Sequence, residues 1–163
     1  MTTQSNITTV IEGFARKHKI DADELAASFR AHYSSVISGQ VKRAMEQRVL
    51  DGHWPGRAPI GYRNIHKDIV QDPMMARAVY IIFESRLDGL TCEEIIARLY
   101  DEGLDIIDLP TNKLFNEAII NKVLRNTFYY GVMNYNGEQY PHRYEPIISK
   151  KMFDQVQHLL WMV

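Results

Sequence analysis

Between residues 113 and 125 the chain sets Lys113, Asn116, Asn121, Lys122 and Arg125 around an apolar repeat of Ile119, Ile120, Val123 and Leu124. These polar side chains suit one kind of chemistry. An asparagine amide can pair with the major-groove edge of adenine, and a lysine or arginine with that of guanine. Their charges can also meet phosphates. On a helix that buries its apolar side they would form an outer face able to enter a major groove. The same pattern describes a packed helix that merely keeps a polar outer face, and spacing alone does not choose between the two.

A second group of bases lies earlier. Residues 36–67 carry Lys42, Arg43, Arg48, Arg57, Arg63 and Lys67 against Glu46 and Asp51. Residues 68–110 reverse the balance, with three arginines against ten carboxylates, and the whole chain has a net charge of −1. That total argues against a protein that coats nucleic acid indiscriminately, but a neutral protein can still present one basic face. Ordinary solvated charge is the competing explanation.

Constellations for catalysis are absent from the sequence. It has no glycine-rich phosphate loop and no histidine pair at metal-ligand spacing, and the six histidines are scattered. Ser5 lacks the neighbouring groups that would activate a nucleophile. The single cysteine, Cys92, excludes a disulfide framework or a cysteine-rich zinc site within these residues. We expect neither cofactor nor metal. The 163 residues are 45% hydrophobic and 24% charged, which suits one or two small domains with a real core, and no stretch approaches a membrane span. An intracellular, cytoplasmic location is expected, with no membrane partner.

Several elements must position these groups. Gly52–Tyr62 holds three glycines, two prolines and two aromatics in eleven residues, which rules out a helix interior. It reads as a rigid connector. Before it, Leu25, Phe29, Tyr33, Val36, Ile37, Val41, Ala44, Met45 and Val49 recur at helical steps, so a long helix is expected over Asp23–Leu50. At ~1.5 Å per residue it would span roughly 40 Å. Its apolar stripe needs a partner, either the following domain or a second copy of the chain. In the second case Phe29 and Tyr33 would be the contacts of a homodimer. Residues 1–20 suggest a further short helix.

After the connector, Ile60–Arg63 and Asp68–Gln71 read as short strands. Asp72-Pro73 starts a helix that Asp88-Gly89 stops, with Met75, Ala78, Val79, Ile82, Phe83 and Leu87 inward. Thr91 and Glu94 form a capping box for the next helix, in which Ile95, Ile96, Leu99 and Tyr100 should face the core and Gly103 ends the run. Asp105–Asn112 reads as a polar loop before the basic helix. Helix, connection, helix is the outline of a helix-turn-helix element, although this connection is longer than the usual ~3–4 residues. Phe128–Tyr135 reads as a strand, Asn136-Gly137 as a hairpin turn, and Lys150–Leu160 as a last helix capped by Ser149.

Taken in order, the segments also carry a resemblance. Val41-Lys-Arg-Ala-Met-Glu-Gln-Arg48 precedes the connector. Asp72-Pro73, Phe83, Gly89-Leu90, Ile95, Ile96, Gly103 and Val123-Leu-Arg-Asn-Thr-Phe-Tyr-Tyr-Gly131 come after it. Tyr140, Glu145-Pro-Ile-Ile-Ser149 and Phe153 close the set. At these intervals the chain resembles the recombinase domain of the large serine recombinases, the phage integrases and related transposases, from about Ala26 to Leu160. A histidine often stands before the Glu-Pro pair in that family; here it is Tyr144, with His142 two residues earlier.

The resemblance implies a DNA-binding domain of a site-specific recombinase, prokaryotic or phage-encoded, that grips double-stranded attachment-site DNA and performs no catalysis alone. The resolvase-type catalytic domain and the zinc ribbon of that family have no counterpart in these residues. The expected fold is α+β and mainly helical: a long N-terminal helix, then a compact helical domain with a helix-turn-helix-like element and short β-hairpins. The expected divisions are 1–51 for the helical segment, 52–62 for the connector and 60–163 for the DNA-binding domain. The expected DNA contacts are Lys42, Arg43, Arg48, Arg57, Arg63, Lys113, Asn116, Asn121, Lys122 and Arg125. Of these, Lys42, Arg43, Arg48 and Arg57 should meet phosphates, and Asn121 and Lys122 base edges. Two other readings stay open: a helical dimerisation or protein-interaction module, and a helix-turn-helix transcription regulator.

Overall fold

A computed structural model describes residues 21–66, 68–104, 106–108 and 113–161. Contacts divide the chain into two units, Met1–Gln47 and Arg48–Val163. The expected short helix in residues 1–20, and Ser5 within it, lie outside the described residues, as do Lys67 and the side chains of Leu25, Phe29 and Lys113.

Helix α1 runs from Ala22 to Leu50. Asp21 opens it by accepting from the Asp23 backbone N–H at 2.8 Å, and Asp23 and Glu24 place negative charge at the positive end of the helix dipole. Within the first unit Tyr33, Val36, Ile37, Val41 and Met45 are all exposed. The last turn of α1, from Arg48, belongs to the second unit, where Val49 is buried.

The second unit is built around helix α2, Pro73–Leu87. Asp72 caps it by accepting from the N–H groups of Met74 and Met75, and Pro73 fills the first position, where no donor is needed. Of the expected stripe, Ala78, Val79, Ile82 and Phe83 are fully buried while Met75 and Leu87 at its ends are half-buried, and Ile81 and Ser85 join the buried set. This helix is therefore covered on more than one side, by α3 (Cys92–Asp101), α4 (Glu117–Leu124) and α5 (Lys150–Trp161), all of which pack on it. The buried Ser85 hydroxyl is satisfied by Arg98 Nη1 at 2.8 Å. Arg98 also reaches Glu84 at 2.8 Å, which ties α3 to α2.

Among the described residues, three two-stranded antiparallel sheets decorate this helical core. They are β1 (Tyr62–Ile65) with β2 (Asp68–Gln71), β3 (Ile106–Asp108) with β4 (Lys113–Leu114), and β5 (Val132–Tyr135) with β6 (Glu138–Pro141). Asn136 and Gly137 turn the last hairpin with φ of 52° and 87°, as a tight two-residue turn requires. The fold is mainly helical α+β. No described helix is long and apolar enough to cross a membrane.

Three local expectations change. Tyr100 is 70% exposed, because Ile95 and Leu99 already define the buried side of α3 and the next residue turns about 100° away from it. Ile106–Asp108 forms a strand and not a loop, its partner being Lys113–Leu114. Phe128–Tyr135 is not one strand: Thr127–Tyr130 is a 3-10 turn capped by Asn126, and Gly131 leaves it at φ 110° before β5 begins. Bulky Phe128 and Tyr129 are thereby both buried, which the alternating faces of a strand would not permit.

Candidate nucleic-acid interface

Helix α4 is the first element to place. Asn116 caps it, its side-chain oxygen accepting from the Ile119 N–H at 2.9 Å. Ile120, Val123 and Leu124 are buried. Its far end is held by α5, because Gln157 Nε2 donates to the Leu124 carbonyl at 2.7 Å. A helix capped at its start, tied at its end and buried along one side has a defined outer face. Ala118, Lys122 and Arg125, at steps of four and three, are exposed on the side away from the buried residues. Asn121 is half-buried at the flank, and Asn116 commits its oxygen to the cap. Of the base-edge candidates, Lys122 thus stands furthest out. The backbone of Lys113 lies in β4, opposite Asp108.

Helices α3 and α4 pack together, but residues 102–116 join them through the β3–β4 pair. The arrangement keeps the two packed helices of a helix-turn-helix, with a longer connection that contains the antiparallel β3–β4 pair in place of its short turn.

The connector is the second element. Trp54 meets the edge of the buried Phe128 ring with centroids 5.7 Å apart, and its backbone N–H donates to the Tyr144 hydroxyl at 2.9 Å. Phe128 is also flanked by Tyr62 at 5.2 Å, His142 at 4.1 Å and Tyr144 at 5.9 Å. Aromatic edges and faces at these distances add directional attraction to the burial itself. The connector therefore belongs to the domain core. Arg57 is exposed on it, and Arg63 is exposed on β1. Arg48 is half-buried, with its Nε withdrawn from solvent.

Arg143 was not singled out by the sequence, and the fold brings it to the connector. Its N–H donates to the Gly52 carbonyl at 3.1 Å, and its Nη1 lies 2.9 Å from His53 Nε2. Since a guanidinium only donates, the imidazole nitrogen accepts, which leaves the other ring proton on Nδ1, 3.6 Å from Asp68. The Ile69 N–H lowers the Asp68 carboxyl below the usual range, against a smaller opposing effect of burial, with His53, the Tyr144 hydroxyl and Arg143 adding to it. His142 is held neutral: its Nδ1 accepts from the Tyr144 N–H at 3.2 Å and its Nε2 faces the Phe128 carbonyl at 2.7 Å, while burial lowers its pKa. Tyr144, a position unexplained from sequence, thus clamps the connector, and His142 braces Tyr144 and Phe128 behind it. No sequence signal could have paired Arg143 with Gly52 across ninety intervening positions.

In the first unit, Lys42 lies 3.9 Å from Glu46 and Arg43 Nε donates to the Gly39 carbonyl at 3.3 Å. Both side chains are exposed. An exposed pair of this kind contributes little, so either cation can exchange its local partner for a phosphate. Among the described residues no three His, Cys, Asp or Glu side chains gather as a metal site.

This small helical core with an outward basic helix face has the fold of two solved structures. One is described as the crystal structure of an LSR–DNA complex, with a TM-score of 0.63, 20% identity, and coverage of 76% of this chain and 38% of that one. The other concerns the sequence requirements of the Listeria innocua prophage attP site, with the same TM-score, identity and coverage of this chain, and 52% of that one. At such identity the likeness is one of fold, and this chain spans about half or less of the length of either. A search of curated proteins finds no match. The family model Recombinase matches residues 73–161, more than half of the sequence, and the chain belongs to that family.

Proposed function

We propose that this chain is a DNA-binding domain of a site-specific serine recombinase of the phage integrase or transposase type, contacting double-stranded attachment-site DNA and performing no catalysis by itself. The observation that carries this reading is the outward stripe of Ala118, Lys122 and Arg125 on α4, a helix capped at its start and tied to α5 at its end, in a chain of the Recombinase family. A small residue at the start of the stripe lets the helix approach a groove, and the two cations follow where base edges and phosphates lie. The fold shared with an LSR–DNA complex supports it. In this reading Lys122 reads a base edge, with Asn121 beside it. Arg57, Arg63, Arg125 and, in the first unit, Lys42 and Arg43 meet phosphates. Asn116 serves first as a cap, and Arg48 contributes less because it is half-buried. Residues up to about 51 form a helical linker, 52–62 the connector and 60–163 the binding domain.

Titration of wild type and Lys122→Ala against a half-site from the parent element and a scrambled duplex, at several salt concentrations, tests this. Loss of Lys122 should cost ~1–3 kcal/mol at one base position only. Supercoiled DNA carrying the site should come through incubation neither nicked nor covalently attached to serine. Wild type that binds neither duplex at low salt would sink the reading.

One further observation favours a second contact. Tyr33 is 69% exposed on α1, with Val36, Ile37 and Val41 exposed on the same unit. We infer weak self-association through this stripe, which a concentration series in sedimentation detects.

A further inference from the structure

We propose that Trp54 and Asn64 are positioning residues for Arg57, holding the one peptide unit from which its guanidinium reaches a DNA phosphate. This rests on the duplex-binding reading above.

The geometry is specific to that peptide. Its carbonyl, from Arg57, accepts the Trp54 indole N–H at 2.9 Å, and its N–H, from Ala58, donates to Asn64 Oδ1 at 3.2 Å. Pinning both ends fixes the peptide plane that follows the Arg57 Cα and so restricts the directions in which the side chain can leave the loop. The indole is itself referenced to the core by its backbone bond to Tyr144 and its edge contact with Phe128. Asn64 sits on β1, opposite Ile69 of β2. Gly56 completes the arrangement, since a Cβ there would stand 3.0 Å from Trp54 Nε1 and 3.2 Å from the adjoining ring carbon. A side chain there makes the indole give by a few tenths of an ångström, which stretches the bond to its acceptor. Pro55 and Pro59 stiffen the loop further. The Arg57 side chain remains exposed. With its backbone held, only side-chain torsions remain to be ordered on meeting a phosphate, which lowers the entropic cost of the contact. A lone exposed arginine on a loose loop would have no such advantage.

The test compares wild type, Arg57→Ala, Trp54→Phe, Gly56→Ala and the double variant Trp54→Phe/Arg57→Ala on a scrambled-sequence duplex, because a phosphate contact does not depend on sequence. Trp54→Phe keeps an aromatic ring against Phe128 and removes the indole donor, together with some ring volume. Arg57→Ala should reduce the salt-dependence slope by ~0.9, which is about a 3.5-fold smaller loss of affinity between 50 and 200 mM salt. Trp54→Phe and Gly56→Ala should each show the same reduction, and the double variant should fall no further than Arg57→Ala. Arg57→Lys should keep the slope in the native background and lose it beside Trp54→Phe. If Arg57→Ala lowers the slope while Trp54→Phe keeps it, or if the two losses add, the positioning role is overturned although duplex binding stands. If Arg57→Ala leaves the slope unchanged, there is no contact to position. Wild type that fails to bind any duplex overturns the underlying reading as well.

Discussion

Gly61→Ala should be the most damaging small change at the junction between connector and domain. Gly61 has φ of 92°, a conformation that side-chain-bearing residues rarely adopt. A Cβ at this position would stand 2.6 Å from Ile147 Cδ1 and 3.1 Å from Val79 Cγ2. The Val79 neighbour is fully buried on α2 and cannot withdraw, and the Gly61 carbonyl is held by the Asp72 N–H at 3.0 Å, so the backbone is anchored too. The strained conformation costs ~1–3 kcal/mol. Overpacking against two side chains adds ~1–3 kcal/mol. The expected total is ~2–6 kcal/mol, which for a domain of this size corresponds to a fall in Tm of roughly 10–25 °C. Thermal unfolding followed by far-UV circular dichroism, with urea titration for the free energy, reads this directly. A second variant separates the two causes. In Gly61→Ala/Ile147→Ala the nearest clash is gone, so the double variant should be more stable than the sum of the single losses predicts, by ~1–3 kcal/mol. A single-variant loss below ~1 kcal/mol would refute both the strain and the clash. Additivity in the double variant would leave backbone strain and remove the packing argument.

Two further predictions concern pH and association. The folded His142 pKa lies below its ordinary value because burial disfavours the charged ring, so the unfolded chain binds more protons between the two values. Stability from this site should be complete above the unfolded value of about 6.5 and be lost as pH falls through the folded one. Tm measured from pH 7 down to pH 5 should drop in wild type and drop less in His142→Asn; equal drops would show that the loss arises elsewhere. Tyr33→Asp, which puts a charge in the exposed stripe of α1, should shift sedimentation at high concentration towards monomer, and an unchanged or absent association would remove the proposed contact.

Much of this protein was legible before any fold was known, and the legible part shares a physical cause. Asp72 with Pro73, Thr91 with Glu94, Asn116 with Ile119, Ser149 with Met152 and Asn136 with Gly137 are interactions between residues a few positions apart. Their geometry depends on the local backbone alone, so type and spacing were enough. The inward stripe of α2 followed from helical period for the same reason. What the sequence could not decide is where neighbouring elements end up. Whether the side chain after Leu99 is covered depends on what packs against α3, and Tyr100 is left outside. The apolar Phe128 and Tyr129 run suited a strand until the core required both rings on one side, which a 3-10 turn provides. The ordering of the candidate site is tertiary too. Lys122 and Arg125 stand outward and Asn121 is half-buried because α2 and α5 select which side of α4 is inside. The connector's rigidity was apparent from its prolines and glycines, but its anchors were not: Tyr144, Phe128 and Asn64 come from separate elements, and Arg143 reaches Gly52 and His53 only once the chain has folded back on itself. Such contacts join residues whose separation in sequence carries no information about their separation in space, so only the packed core could determine them.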